Sequence, residues 1–264
     1  MIIDFHTHIY PEKVASKVLP AAKRKLHVEV PGTGAPQDLR GRMSASGIND
    51  SVVLPLAKGE SAVTPLNDWI LSVSGNGLIP FGAVHPFMEN MEGELDRLAA
   101  WDIRGVKVMP LLQEFYPDDP RCERLYEALI ERKMILVTHA GRDPLDREEI
   151  FGIPERFART IECYPDLMLE LAHLGGLRMW DDVRKYLLPA GRNVYFDTAY
   201  VSFYMKKKEM AELIRDIGTD RVLFGSDYPW EEPGRAAEII KGLGLSSHQT
   251  EQILWRNAAR LLDL

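Results

Sequence analysis

The chain has 264 residues, 45% of them apolar and 27% charged, a balance that supports a folded globular protein and excludes intrinsic disorder. A formal net charge of −7 excludes a nucleic-acid binder that works through basic excess. No stretch approaches the roughly 20 consecutive apolar residues of a membrane span, and the N-terminus carries neither the basic start nor the apolar core of a signal peptide, so a cytoplasmic location away from membranes is expected.

Along the chain, short β-rich apolar runs alternate with helical patterns. The runs are IIDFH from Ile2, SVVLPL from Ser51, IPFGAV from Ile79, RGVKVM from Arg104, MILVTH from Met134, LMLELAH from Leu167, NVYFDT from Asn193 and RVLFGSD from Arg221. Between them lie segments with helical spacing, such as TPLNDWILSV, where Thr64 is the expected N-cap and Pro65 the first helical residue. The KKK run at Lys206–Lys208 reads as a solvated helix start, and SSHQTEQILWRNAARLLDL as a closing C-terminal helix. Cys122 and Cys163 fit no disulfide or zinc pattern and are expected to be reduced helix-packing residues.

Eight strands alternating with helices, at roughly 33 residues per unit, predict a (β/α)8 TIM barrel as a single domain over 1–264, with a doubly wound open sheet as the competing arrangement. The first connection is overlong. Residues 10–49 hold a helix-like PEKVASKVL, a Gly/Pro-rich EVPGTGAPQDL and a second helix-like piece, and are expected to fold over the mouth as a lid.

Polar residues at the strand ends decide between the two arrangements. Residues two apart on a strand share a face, so His6 and His8 project together with Thr7 opposite. The fifth run ends in VTHAGRDP with His139, the sixth in LAHLGG with His173 and the eighth in FGSDYPW with Asp227. In a barrel the C-terminal strand ends converge on one mouth, whereas an open sheet would scatter them. His85, in AVHPF after the third run, is placed to line the same cavity; His27 and His248 suit a loop and a helix start.

The set DFHTHIYP, VTHAG, LAHLGG, FGSDYPW and ILWRNAARLL resembles the metal-dependent amidohydrolase superfamily, in its amidohydrolase-related branch, which includes aminocarboxymuconate semialdehyde decarboxylase and γ-resorcylate decarboxylase. The resemblance implies that His6, His8, His139 and Asp227 are ligands of one divalent cation, zinc by family habit, with manganese, iron and nickel compatible with the donors. It implies that His173 stands beside the metal as an acid/base group, with Asp227 able to share in proton transfer. Family members are often dimers, so a homodimer acting on a small-molecule substrate is expected.

A bound dication brings the pKa of its water from 15.7 toward about 7, which makes hydroxide available at neutral pH. That favours a hydrolase attacking an ester, lactone or amide carbonyl. The alternative is a nonoxidative decarboxylase of an aromatic or unsaturated acid, and a third reading is a barrel that binds a metal without turnover. The choice of hydrolysis rests on the long first insertion and on the lack of an aromatic-acid clamp beyond Arg142.

Four residues are expected on the substrate side: Arg142, Lys107, His85 and Trp230. Arg142 suits bidentate carboxylate recognition, against an ion pair with Asp143 or Asp146. Lys107 reads as an ammonium facing Asp4, Asp227 or an anionic substrate, in preference to a carbamylated metal bridge. Trp230, Tyr200 and Phe115 offer aromatic walls or ordinary loop packing. Asp4 is expected to support the ligands from below, Asp197 to hydrogen-bond a loop and Glu170 to face the helices.

Overall fold

The computed structural model describes residues 1–143, 148–189, 191 and 193–264, apart from the side chain of Leu26. Among them the eight β-rich runs become nine strands: β1 (Ile3–Thr7), β2 (Asp50–Val53), β3 (Leu78–Pro80), β4 (Gly82–Ala83), β5 (Gly105–Val108), β6 (Ile135–Thr138), β7 (Leu169–Leu171), β8 (Val194–Asp197) and β9 (Val222–Leu223). The third run splits because Pro80 has no N–H to continue a ladder, and Phe81 turns into the core between β3 and β4.

The chain falls into two compact units. The first comprises Met1–Val53, Val73–Pro80 and Asp197–Leu264. In it β1, β2 and β3 form a parallel sheet in that order. Every residue of β1 is buried, which suits a strand covered on both faces. Its other edge is taken by the segment that follows β9: Phe5 N–H donates to Phe224 O at 2.7 Å, Asp227 N–H to His6 O at 2.8 Å and His8 N–H to Tyr228 O at 2.6 Å. The pairing of β1 with β2 slips between Asp4 and Thr7, an irregularity of the kind that re-aims side chains near functional sites.

The insertion after β1 carries two helices, α1 (Glu12–Leu26) and α2 (Pro36–Ser46). Pro36 opens α2, as Pro233 opens the helix Pro233–Lys241 against which α2 packs; both lose only an N–H that the first turn leaves unbonded anyway. The predicted C-terminal helix is present from Ser247 to Leu262, its start fixed by a reciprocal cap between Ser246 and Gln249.

The second unit comprises Leu54–Ser72 and Phe81–Phe196. Its strands β4 to β8 pair in sequence order, all parallel, with Gly105–Val108 opposite Ile135–Thr138 and Leu136–Thr138 opposite Leu169–Leu171. Thr64 is not a helix cap. The helix begins at Glu60 and runs through Pro65, while the Thr64 hydroxyl donates to Glu94 at 2.9 Å, so a buried partner outbids the capping position. Both cysteines are free, but only Cys122 is packed; Cys163 is exposed because Phe157, Thr160 and Ile161 supply the buried face of its helix. The helix Lys207–Ile217 starts at the lysine run as expected.

Candidate metal centre

A polar side chain buried on β1 must find partners. His6 does so on both ring nitrogens. Its Nδ1 lies 2.5 Å from an Asp197 carboxylate oxygen, and because a carboxylate accepts, the proton sits on Nδ1 and leaves Nε2 as a lone pair. That lone pair faces His8 Nε2 at 3.1 Å and Asp227 Oδ1 at 3.6 Å, while His8 Nε2 is 3.3 Å from the same oxygen. One ligand atom from each of the three residues lies within 4.8 Å of the other two. All three residues are buried.

Electron-rich atoms crowded in this way repel one another unless a proton or cation sits among them. Two imidazole nitrogens and a carboxylate, one imidazole already oriented by a second carboxylate, are the donor chemistry of a zinc-type or manganese-type divalent site. The residues fit the ion.

Local backbone explains how the chain delivers these groups. Asp227 adopts a left-handed conformation, φ 65°, uncommon for a residue with a side chain and of a kind that clusters at functional sites. Its N–H is held by His6 and its carbonyl accepts from Trp230 N–H at 2.8 Å. Position 225 must be glycine because a Cβ there would lie 2.9 Å from that of His6. Asp4 supports both ligand strands, as expected: one carboxylate oxygen accepts from His6 N–H at 3.2 Å and Ser226 N–H at 2.9 Å. Burial pushes its carboxyl up to about 7 despite those bonds.

Three further groups surround the Asp227 carboxylate electrostatically. Burial first, and then Asp227, hold the Tyr10 phenol well above its ordinary range. Tyr200, also left-handed at φ 59°, is raised by burial, by Tyr204 and by Asp227. Glu231 is buried beneath Ser202 and Arg235, and burial lifts its carboxyl to about 7 although both partners oppose the shift.

In the second unit His139 and His173 form a pair. His139 Nε2 lies 3.1 Å from the Arg142 carbonyl, which only accepts, so the proton is on Nε2 and Nδ1 receives the His173 Nε2–H at 3.0 Å. His173 and Leu174 are both left-handed, φ 62° and 53°, and Trp180 Nε1–H donates to the His173 carbonyl at 3.1 Å. Arg142 is fixed through its backbone, donating to Leu177 O at 2.9 Å. Asp146 lies outside the described residues. Lys107 is buried on β5, and Glu170 is buried on β7. His85 is half-buried beside Phe87, with its imidazole held low by burial. Phe115 packs edge-on against Phe87, which is the ordinary loop role.

Of the four ligands that the resemblance implies, the structure brings His6, His8 and Asp227 together. Asp197 bonds a loop as expected, its Oδ1 accepting from Ala199 N–H at 3.0 Å, but that expectation missed its other oxygen, which orients His6; the signal for it was a carboxylate at a strand end, shared with many structural aspartates. Tyr10, two residues past His8, escaped notice entirely.

Three comparisons place the chain among known proteins. The family model described as Amidohydrolase matches residues 3–264. A γ-resorcylate decarboxylase from a Polaromonas species is 31% identical over 118 residues, 38% of this chain and 36% of that protein, so the chain covers about a third of the length of the curated relative it matches. Among solved structures, an uncharacterised TIM-barrel protein from Bordetella bronchiseptica superposes with a TM-score of 0.77 at 19% identity, covering 99% of this chain and 98% of that one. The 5-carboxyvanillate decarboxylase of Novosphingobium aromaticivorans, crystallised with manganese and 4-hydroxy-3-methoxy-5-nitrobenzoic acid, reaches 0.74 at 15% identity, covering 100% and 96%. These likenesses show the fold, a parallel α/β TIM barrel.

They also overturn the expectation of hydrolysis, since the Polaromonas and Novosphingobium relatives are decarboxylases. The physical reason is that the donor set does not discriminate, because one cation serves to activate water or to hold a carboxylate. The length of the insertion does not discriminate between the two reactions either.

Proposed function

Because the chain belongs to the amidohydrolase family, we propose that it is a metal-dependent nonoxidative decarboxylase of an aromatic or unsaturated carboxylic acid. The convergence of His6, His8 and Asp227, with His6 pinned by Asp197, carries the reading of a metal enzyme. The likeness to γ-resorcylate decarboxylase and 5-carboxyvanillate decarboxylase supports carbon dioxide loss as its reaction.

A divalent ion held by these three residues would supply positive charge to orient and neutralise an acidic substrate. Manganese is the first choice and zinc the second, on the strength of the manganese-bound neighbour. The family pattern adds His139 as a further ligand and gives His173 the acid/base role. Decarboxylation breaks one carbon–carbon bond and leaves the electron pair on the substrate carbon, which then needs one proton. We assign His173 to give it, with solvent restoring the proton afterwards. Arg142, Lys107, His85 and Trp230 stay as substrate-side residues, Arg142 for the carboxylate. A homodimer and a small-molecule substrate complete the reading. No helix among the described residues is long and apolar enough to cross a membrane.

The test is carbon dioxide release from 2,6-dihydroxybenzoate and related phenolic acids by manganese-loaded and zinc-loaded protein. Stoichiometric carbon dioxide with the decarboxylated phenol is expected. Cleavage of lactones or amides with no carbon dioxide from any acid would overturn the proposal.

A further inference from the structure

Where β7 ends, the chain takes a backbone course that residues with side chains rarely follow. His173, Leu174 and Gly175 are left-handed one after another, φ 62°, 53° and 83°. In that region a Cβ crowds the following carbonyl, so residues visit it singly when they visit it at all. A run of this kind persists only where its surroundings hold it, and such strain gathers at functional sites. At its start the His173 ring meets that of His139, Nε2 to Nδ1 at 3.0 Å, with centroids 4.8 Å apart and planes 65° from parallel.

The frame around the run is backbone. Ala172 N–H donates to the Thr138 carbonyl at 3.0 Å, Leu177 N–H to that of Ala140 at 2.9 Å and Arg142 N–H to that of Leu177 at 2.9 Å. The segments that carry the two histidines are thus stitched together before and after the run. Leu174 is completely buried, and a Cβ on Gly175 would lie 2.8 Å from a Phe196 ring carbon, so neighbours close tightly on it.

His173 is also held through its own carbonyl. Gly176 N–H reaches that oxygen at 3.4 Å, a long bond, and the indole Nε1–H of Trp180, seven residues on, reaches it at 3.1 Å. Trp180 is half-buried and opens the short helix Trp180–Asp182. An indole N–H only donates, so this side chain has one polar task here, and it spends it on the peptide that orients the imidazole.

Resting on the decarboxylase reading, in which His173 gives the proton, we propose that Trp180 is a positioning residue: its indole N–H holds the left-handed peptide of His173 and keeps the imidazole aligned for transfer to the substrate carbon. Proton transfer depends steeply on alignment, whereas capture of the acid or the ion does not pass through this bond. The indole therefore acts on turnover.

Carbon dioxide release from 2,6-dihydroxybenzoate by manganese-loaded wild type, Trp180→Phe and Trp180→His tests this, with metal content measured on each. Phenylalanine keeps an aromatic ring but has no N–H. Histidine loses the six-membered ring yet carries an N–H at the same place in its five-membered ring. In Trp180→Phe kcat is expected to fall about ten- to hundredfold with KM and metal content unchanged, and Trp180→His is expected to stay within about threefold of wild type. A packing role would rank the two variants the other way, because phenylalanine preserves more of the apolar surface. The histidine variant carries the test alone if the phenylalanine variant does not fold. Equal kcat in wild type and Trp180→Phe, or a Trp180→His no faster than Trp180→Phe, would overturn the role of Trp180 and leave the decarboxylase reading intact. A wild type that releases no carbon dioxide from this or related phenolic acids would overturn that reading, and NMR spectra of histidine-labelled, zinc-loaded protein then judge the positioning by itself. The His173 ring signals should be single in wild type and Trp180→His and doubled or broadened in Trp180→Phe; single sharp signals in all three would overturn it.

Discussion

Asp197 fixes which nitrogen of His6 faces the centre, and its removal should be felt as a loss of metal. Partners of this kind typically change metal affinity 10- to 100-fold. Asp197→Asn is expected to weaken manganese or zinc binding by about that factor in competition with a chelating dye; unaltered affinity would mean that His6 is oriented by β1 alone. Glu231 makes a different prediction. Burial lifts its carboxyl from 4.5 to about 7, so between those values the folded protein keeps a proton that the unfolded chain releases. Stability contributed by the protonated form is therefore lost as pH rises from about 4.5 to 7, by about 3 kcal/mol in all. Urea denaturation of the metal-free protein at pH 5 and pH 8 should show this drop, and Glu231→Gln should flatten it; an equal slope in the variant would count against a buried neutral Glu231. The candidate ligands His6, His8 and Asp227 were legible because each lies at the end of a strand run. The bond from Asp197 to His6 was not, since the two are remote in the chain and no local pattern encodes it.

At the scale of elements, periodicity located every strand among the described residues, and its errors have local causes. Pro80 divides the third run, and β9 is short because Phe224 and Gly225 bond to Ile253, Thr198 and β1 outside a regular ladder. The Gly/Pro-rich centre of the insertion is tied to the segment after Asp227 by the Gly32–Pro229 and Gly34–Tyr228 bonds, because glycine permits close backbone approach as readily as it permits motion, and sequence composition does not separate the two uses. A Cβ at position 32 would fall 2.3 Å from a Tyr228 ring carbon. Gly32→Ala should thus destabilise the protein by about 1–3 kcal/mol in chemical denaturation. Limited proteolysis should cut between residues 27 and 35 faster than in wild type. Unchanged stability and cutting would show that the insertion is not held by this contact.

For the molecule as a whole, the family and the barrel were readable from the order of motifs along the chain, while the reaction was not. Hydrolysis and decarboxylation use the same donors, so the difference lies in what the surroundings of the ion present to a substrate, which no spacing rule predicts. If the triad holds the ion, metal should also stabilise the fold, by about 2.7 kcal/mol when free metal is 100 times its dissociation constant. Chelation should then lower the thermal midpoint of wild type and leave that of His8→Ala where it was. The most direct test of the account is anomalous X-ray diffraction from manganese-soaked crystals, with metal content measured on the same preparation. One manganese per chain, with its anomalous peak among His6 Nε2, His8 Nε2 and the Asp227 carboxylate, is the predicted result; a stoichiometric ion bound away from these three, or none bound at all, would contradict it.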